Sequence, residues 1–160
     1  MKTLISCFAL TAVVAVAVSG CGSSDTPANC STDSVSEVDE GPLMKPGGAC
    51  IECHTSEGEG PIFKLAGTVM AATNDDTSCN GVSGVTVEIT GADNQVITLT
   101  TNSAGNFFLE NGSVALPYTA KVKAGGKELV MGTAQSVGDC NTCHTAGGSS
   151  GAPGRILSPG

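Results

Sequence analysis

Two stretches of this chain, CIECH at 50–54 and CNTCH at 140–144, carry the same pattern: two cysteines separated by two residues, with a histidine directly behind. The chain has only two histidines, and both stand at these positions. Two thiols at this spacing reach the two vinyl groups of one porphyrin, and an imidazole directly after them lies on one face of the ring, where it ligates iron. The pattern predicts two covalently attached haem c groups, one on Cys50, Cys53 and His54, the other on Cys140, Cys143 and His144. Sulfur-rich motifs have other uses. A structural zinc site could take four thiolates from the two arms, but it would leave the histidine behind each arm unexplained. A thioredoxin-like dithiol needs a βα context, whereas these motifs have glycine-rich flanks. Disulfides closed within each motif would be strained and serve no evident purpose.

The ten residues Cys50, Ile51, Glu52, Cys53, His54, Cys140, Asn141, Thr142, Cys143 and His144 carry a resemblance to c-type cytochromes. It implies a low-spin iron with a second axial ligand. No further histidine exists, so that ligand is not a histidine of this chain. A thioether is the natural replacement, and a Met/His pair raises the reduction potential. Met44 stands six residues before Cys50 and Met131 nine before Cys140. Six residues extend to roughly 20 Å, enough to pass around a haem edge. Met44 is assigned to the His54 haem and Met131 to the His144 haem. Exchange between the two and an open, five-coordinate iron are the alternatives. Met70 lies within an apolar run and reads as a core residue. Arg155, the only arginine, suits a haem propionate or an exposed loop equally well.

The elements that must hold these motifs follow from the rest of the chain. Lys2 and the apolar run to Ser19 form a leader too short for a membrane span, ending in Val-Ser-Gly-Cys at 18–21. This resembles the lipobox of bacterial lipoproteins, which implies cleavage before Cys21 and lipidation of that cysteine; an ordinary secretory signal with an incidental Cys21 is the alternative. Gly22 and Ser23 follow without an aspartate, so the resemblance implies sorting to the outer membrane. Several acyl chains anchor stably where one does not. Loss of residues 1–20 leaves six basic against fifteen acidic residues, a balance of −9. Such a chain is unsuited to nucleic acid, which needs basic residues to neutralise phosphates, and favours partners with basic docking surfaces.

Of eight cysteines, Cys7 leaves with the leader, Cys21 takes the lipid and four belong to the motifs. Cys30 and Cys79 remain, and in an oxidising compartment they are expected to pair, stabilising the fold by roughly 2–4 kcal/mol. Two free thiols are the alternative. Aromatic residues make up only 3% of the chain, with no Trp, so covalent or cofactor reinforcement would offset a thin core.

Residues 21–43 are polar and acidic and read as a tether. Residues 44–62 hold the first motif. Over 63–134 the pattern turns to β: Val85, Val87 and Ile89 alternate with Thr86, Glu88 and Thr90, and Tyr118, Ala120 and Val122 alternate with Thr119, Lys121 and Lys123. Turn residues separate the runs at GADN 91–94, NSAGN 102–106 and Gly125-Gly126. Strands are expected near 64–72, 83–90, 95–101, 106–110, 117–124 and 127–133. The expected fold is mainly β, a small antiparallel sandwich flanked by two loop-rich haem-binding segments. GTV at 67–69, GVTVEI at 84–89, TTNSAGNFFL at 100–109 and LPYTAKV at 116–122 resemble the carboxypeptidase-regulatory-like domain, a prealbumin-type, immunoglobulin-like sandwich. TNDDTSCNG at 73–81 departs from that pattern as an insertion. The resemblance implies a scaffold and no catalytic residue. Residues 135–160 hold the second motif and a Gly/Pro-rich tail expected to be loop. Strands 64–72 and 127–133 are expected to be neighbours, so that both motifs emerge at one end of the sandwich.

Together these resemblances imply an exported, lipid-anchored dihaem c-type cytochrome at the bacterial outer membrane, periplasmic or surface-exposed. It would pass single electrons to redox partner proteins, an electron carrier more than an enzyme. Two other functions fit parts of the chain: a haem enzyme or ligand sensor with an open iron, and a cell-surface adhesion or carbohydrate-binding β module.

Overall fold

The computed structural model describes residues 41–58, 60–71 and 80–160. A helix, α1 (Cys50–Glu57), precedes β1 (Leu65–Met70), β2 (Thr86–Thr90), β3 (Val96–Thr100), β4 (Asn106–Leu109), β5 (Thr119–Ala124) and β6 (Lys127–Val130). A single helical turn, α2 (Cys140–Cys143), and a two-residue strand, β7 (Ile156–Leu157), complete the chain. The strands form two sheets, one ordered β4-β1-β7 and the other β3-β2-β5-β6. The fold is mainly β, a small sandwich.

Alternation of side chains explains the larger sheet. Val87 and Ile89 of β2 point inward and are buried, while Thr86, Glu88 and Thr90 point outward. The outward face is polar, with Lys123 Nζ 2.6 Å from Glu88 Oε1 across the β2–β5 pair. Gly125 and Gly126 both take positive φ, 55° and 78°, and close the β5–β6 hairpin in the tight turn that only such backbone allows. Leu65, Val69, Val85, Val87, Ile89, Phe107, Tyr118 and Val122 form the core between the sheets. With one Tyr and one Phe in that set, small β-branched residues do most of the filling.

β1 departs from the alternating pattern because all six of its residues are buried. Leu65 and Val69 face the core. Ala66, Thr68 and Met70 point the other way and are covered as well. Their cover is the chain on either side of the sandwich, including both sulfur-rich motifs. A strand buried on both faces in a protein this small needs a second layer, and residues 41–57 and 138–159 supply it.

All six predicted strands form, each trimmed at one or both ends. Two expectations fail. The tail is not simply loop: Ile156 and Leu157 pair in parallel with Val69 and Met70 of β1, and Ser158 N–H donates to Met70 O at 2.8 Å. Two residues suffice for a strand when an open sheet edge offers partners, and local composition carries no trace of that edge. The sandwich is therefore not wholly antiparallel. The second failure is the expected neighbourhood of the first and last β runs. β1 and β6 lie in different sheets.

Candidate functional site

The two motifs nevertheless come together, by another route. After β6 the chain crosses to the smaller sheet, where Ala66 N–H donates to Gly138 O at 2.9 Å and Asp139 runs parallel beside Ala66. That bridge delivers α2 against β1. Close approach depends on Gly67, since a Cβ there would lie 2.9 Å from Cys140 Cβ and 2.7 Å from Phe107 Cζ.

A buried polar network joins the first segment to the second. Thr68 N–H donates to Asn141 Oδ1 at 3.1 Å, and Asn141 Nδ2 donates to Thr68 Oγ1 at 3.1 Å and to Gly48 O at 2.8 Å. Thr68 Oγ1 accepts from Gly47 N–H at 2.9 Å and donates to Asn106 Oδ1 at 2.8 Å. Asn106 Nδ2 in turn donates to Met44 O at 3.0 Å. Each polar side-chain atom in this set is used, which is the condition under which a buried network stabilises one arrangement.

Asp139 makes a second link between the two segments. Its Oδ2 accepts from Ile51 N–H at 2.8 Å and Glu52 N–H at 3.0 Å, two of the free amides in the first turn of α1. Ala49, at the N-cap position of α1, has no side chain able to do this. Oδ1 of Asp139 is buried and has no hydrogen-bond partner among the described residues. Burial, and secondarily the charge of Glu52, raises the Asp139 pKa above the ordinary carboxylate value, while the bonds from the α1 amides oppose the rise.

Both histidines have the same environment at one ring nitrogen. His54 Nδ1 is 2.7 Å from Pro61 O, and His144 Nδ1 is 2.8 Å from Gly154 O. A carbonyl only accepts, so Nδ1 carries the hydrogen in each neutral ring and Nε2 keeps its lone pair. That is the tautomer in which Nε2 ligates a metal, with the ring's direction fixed from behind. The His54 ring also packs on Phe63, centroids 4.9 Å apart, and Phe63 packs on Phe108 at 4.8 Å.

The thiols are less uniform. Cys50 and Cys140 are each pushed up to about 12, chiefly by burial, with the charge of Asp139 adding to both. Tyr118, whose hydroxyl donates to Val137 O at 2.7 Å and lies 3.8 Å from Cys140 Sγ, opposes the rise at Cys140. Such surroundings disfavour a thiolate and suit neutral sulfur. Cys50, Cys140 and Cys143 are free, whereas Cys53 is disulfide-bonded, to none of these three. Among the described residues, no three His, Cys, Asp or Glu gather as a metal site, so the zinc alternative has no ligand set there.

The candidate methionines stand apart from each other. Met44 lies in the segment covering the outer face of β1, its carbonyl held by Asn106. Met131 packs against the sandwich core, its N–H donating to Ala120 O at 2.9 Å. Arg155 follows Gly154, whose carbonyl holds His144. Cys21, Cys30 and Cys79 lie outside the described residues, as does the leader. No described helix is long and apolar enough to cross a membrane.

Sequence reasoning missed Asp139, Asn141, Thr68 and Asn106. Asp139 directly before a helical turn reads as an N-cap, but of α2; nothing local indicates that its carboxylate serves α1. Asn141 sits in a motif position whose residue type is free, so the pattern draws no attention to it.

No family model, curated protein or solved structure matches this chain.

Proposed function

We propose that the chain is a dihaem c-type cytochrome, an electron carrier anchored by lipid on Cys21 at the bacterial outer membrane. The observation that carries this reading is the matched pair of histidines. Each follows a Cys-x-x-Cys, and each has Nδ1–H turned to a backbone carbonyl with Nε2 left as the free donor. Neither a four-thiolate zinc site nor a redox dithiol requires a histidine behind each cysteine pair.

On this reading Cys50 and Cys53 hold one haem and Cys140 and Cys143 the other, through thioethers that bear no charge where burial disfavours one. A haem so held supplies a one-electron Fe(II)/Fe(III) change. His54 and His144 would each offer Nε2 to the iron. Pro61 O and Gly154 O fix the direction of the two rings. Asp139 and Asn141 hold the two attachment segments against one another. Cys53 would hold a haem as a free thiol, released from its disulfide by exchange with an external thiol that is itself oxidised.

Met44 and Met131 remain the proposed sixth ligands. Support is better for Met44, which shares the outer face of β1 with the first motif, than for Met131, which already fills core space. The acidic balance supports redox partners with basic docking surfaces, and the β-sandwich serves as the carboxypeptidase-regulatory-like scaffold that brings the motifs together.

The test is the mass of the mature protein after extraction in acid acetone. Two haem-sized increments retained on the polypeptide are expected, with a further increment for lipid. A colourless polypeptide of unmodified mass refutes the haem reading.

A further inference from the structure

α1 does not hold itself together. It has eight residues, buries none of them and has no N-cap side chain of its own. Helices of this length are marginal in water without packing or capping. Its two bonded N-terminal amides are satisfied by Asp139, 87 and 88 positions away in the chain. Asp139 is itself the N-cap residue of α2, yet its side chain makes no capping bond there. The cap of the second motif's helix is given to the first.

The dependence does not run the other way. The second segment is fixed to the sandwich by Gly138 O on Ala66 N–H, Asn141 Oδ1 on Thr68 N–H and the Tyr118 hydroxyl on Val137 O. Its turn is closed by His144 N–H on Cys140 O and by Thr142 Oγ1 on Asp139 O. Only one of these side chains, Asn141, also reaches the first segment, and its Nδ2 retains Thr68 Oγ1 if Gly48 is lost.

We propose that Asp139 is a positioning residue through which the second motif builds the first. Haem attachment at Cys50 and Cys53 then requires residues 138–143 docked on β1, whereas attachment at Cys140 and Cys143 proceeds without a folded α1. This rests on the haem reading for its consequence, but its physical core is a one-way structural dependence between two segments of the chain.

The experiment compares the full-length protein with Asp139→Ala, Asp139→Asn and the double variant Cys50→Ala/Cys53→Ala. Haem on each motif is counted by mass after proteolysis, and amide exchange is followed at Ile51, Glu52 and the β2–β5 strands. Asp139→Ala is expected to speed exchange at Ile51 and Glu52 by about two- to thirtyfold, the range that loss of a helix cap produces. It should lower haem on the first motif several-fold and leave the second loaded and the strands protected. Asp139→Asn retains an acceptor oxygen and should restore both readouts. The Cys50→Ala/Cys53→Ala variant should keep its haem at Cys140 and Cys143. Unchanged exchange at Ile51 and Glu52 in Asp139→Ala, equal loss of haem from both motifs, or loss of the second haem in the Cys50/Cys53 variant overturns the proposal. If the parent protein carries no haem, the functional reading fails, and the exchange measurement on the haem-free chain still decides the role of Asp139.

Discussion

Gly67 is the point at which the second motif approaches β1 most directly. It sits in the middle of β1, opposite Phe107 of β4, and faces the core side of the strand. A methyl group there would lie 2.7 Å from Phe107 Cζ, 3.1 Å from Phe107 Cε1 and 2.9 Å from Cys140 Cβ. The ring can give way by rotating; Cys140 is fixed by the docked second segment. Overpacking of this kind costs about 1–3 kcal/mol. The entropy lost when glycine enters a strand offsets about 0.5–1 kcal/mol of that when alanine replaces it. Gly67→Ala should therefore lose about 0.5–2 kcal/mol, lowering the urea midpoint by roughly 0.5 M with an unchanged slope. Gly132→Ala is the control, because nothing lies within 4 Å of a Cβ there. Its midpoint should stay within the scatter of ordinary surface changes. If the ring is half of the obstruction, Phe107→Leu combined with Gly67→Ala should cost less than the two changes summed. A Gly67→Ala protein that unfolds at or above the parent midpoint refutes the claim that this glycine admits α2 to β1.

Asp139 should leave a signature in pH. Its folded-state pKa is raised above the unfolded value of 3.8, so the folded protein holds that proton more tightly. The resulting stability is fully present below 3.8 and is lost as pH rises through the folded value. Urea unfolding of the parent, referred to Asp139→Asn at each pH, should show the parent losing ground as pH rises above 3.8; a constant difference counts against the raised pKa. Met131→Ala separates two roles for that side chain. As a partly buried core residue it should cost roughly 1–3 kcal/mol, and as an iron ligand its loss should also alter the absorption spectrum of the oxidised protein. A stability loss with an unaltered spectrum would leave Met131 in the core and remove it from the iron.

Much of the fold was readable because its signals are local. Alternation along Val85–Thr90 and Tyr118–Ala124, with Gly125-Gly126 between two runs, specifies strands and a hairpin through backbone geometry that needs no distant partner. The failures came where pairing is decided at long range. Residues 156–157 form a strand only because β1 offers an edge there. The expected adjacency of the first and last β runs was an assumption about sheet order, which short strands of similar composition do not encode. The motifs did converge, but through Gly138 and Asp139 on β1 and not through β6.

Residue identity alone determined the candidate chemistry: which sulfurs and imidazoles are paired, how many such sets exist, and that no other histidine competes. These depend on spacing along the covalent chain, which folding does not change. Tertiary structure decided that the two sets meet, that α1 takes its cap from Asp139, and that each imidazole presents Nε2. Those outcomes rest on contacts between residues far apart in the chain. A backbone amide, a carbonyl or a glycine's missing methyl has no residue-specific signature until folding sets it beside its partner.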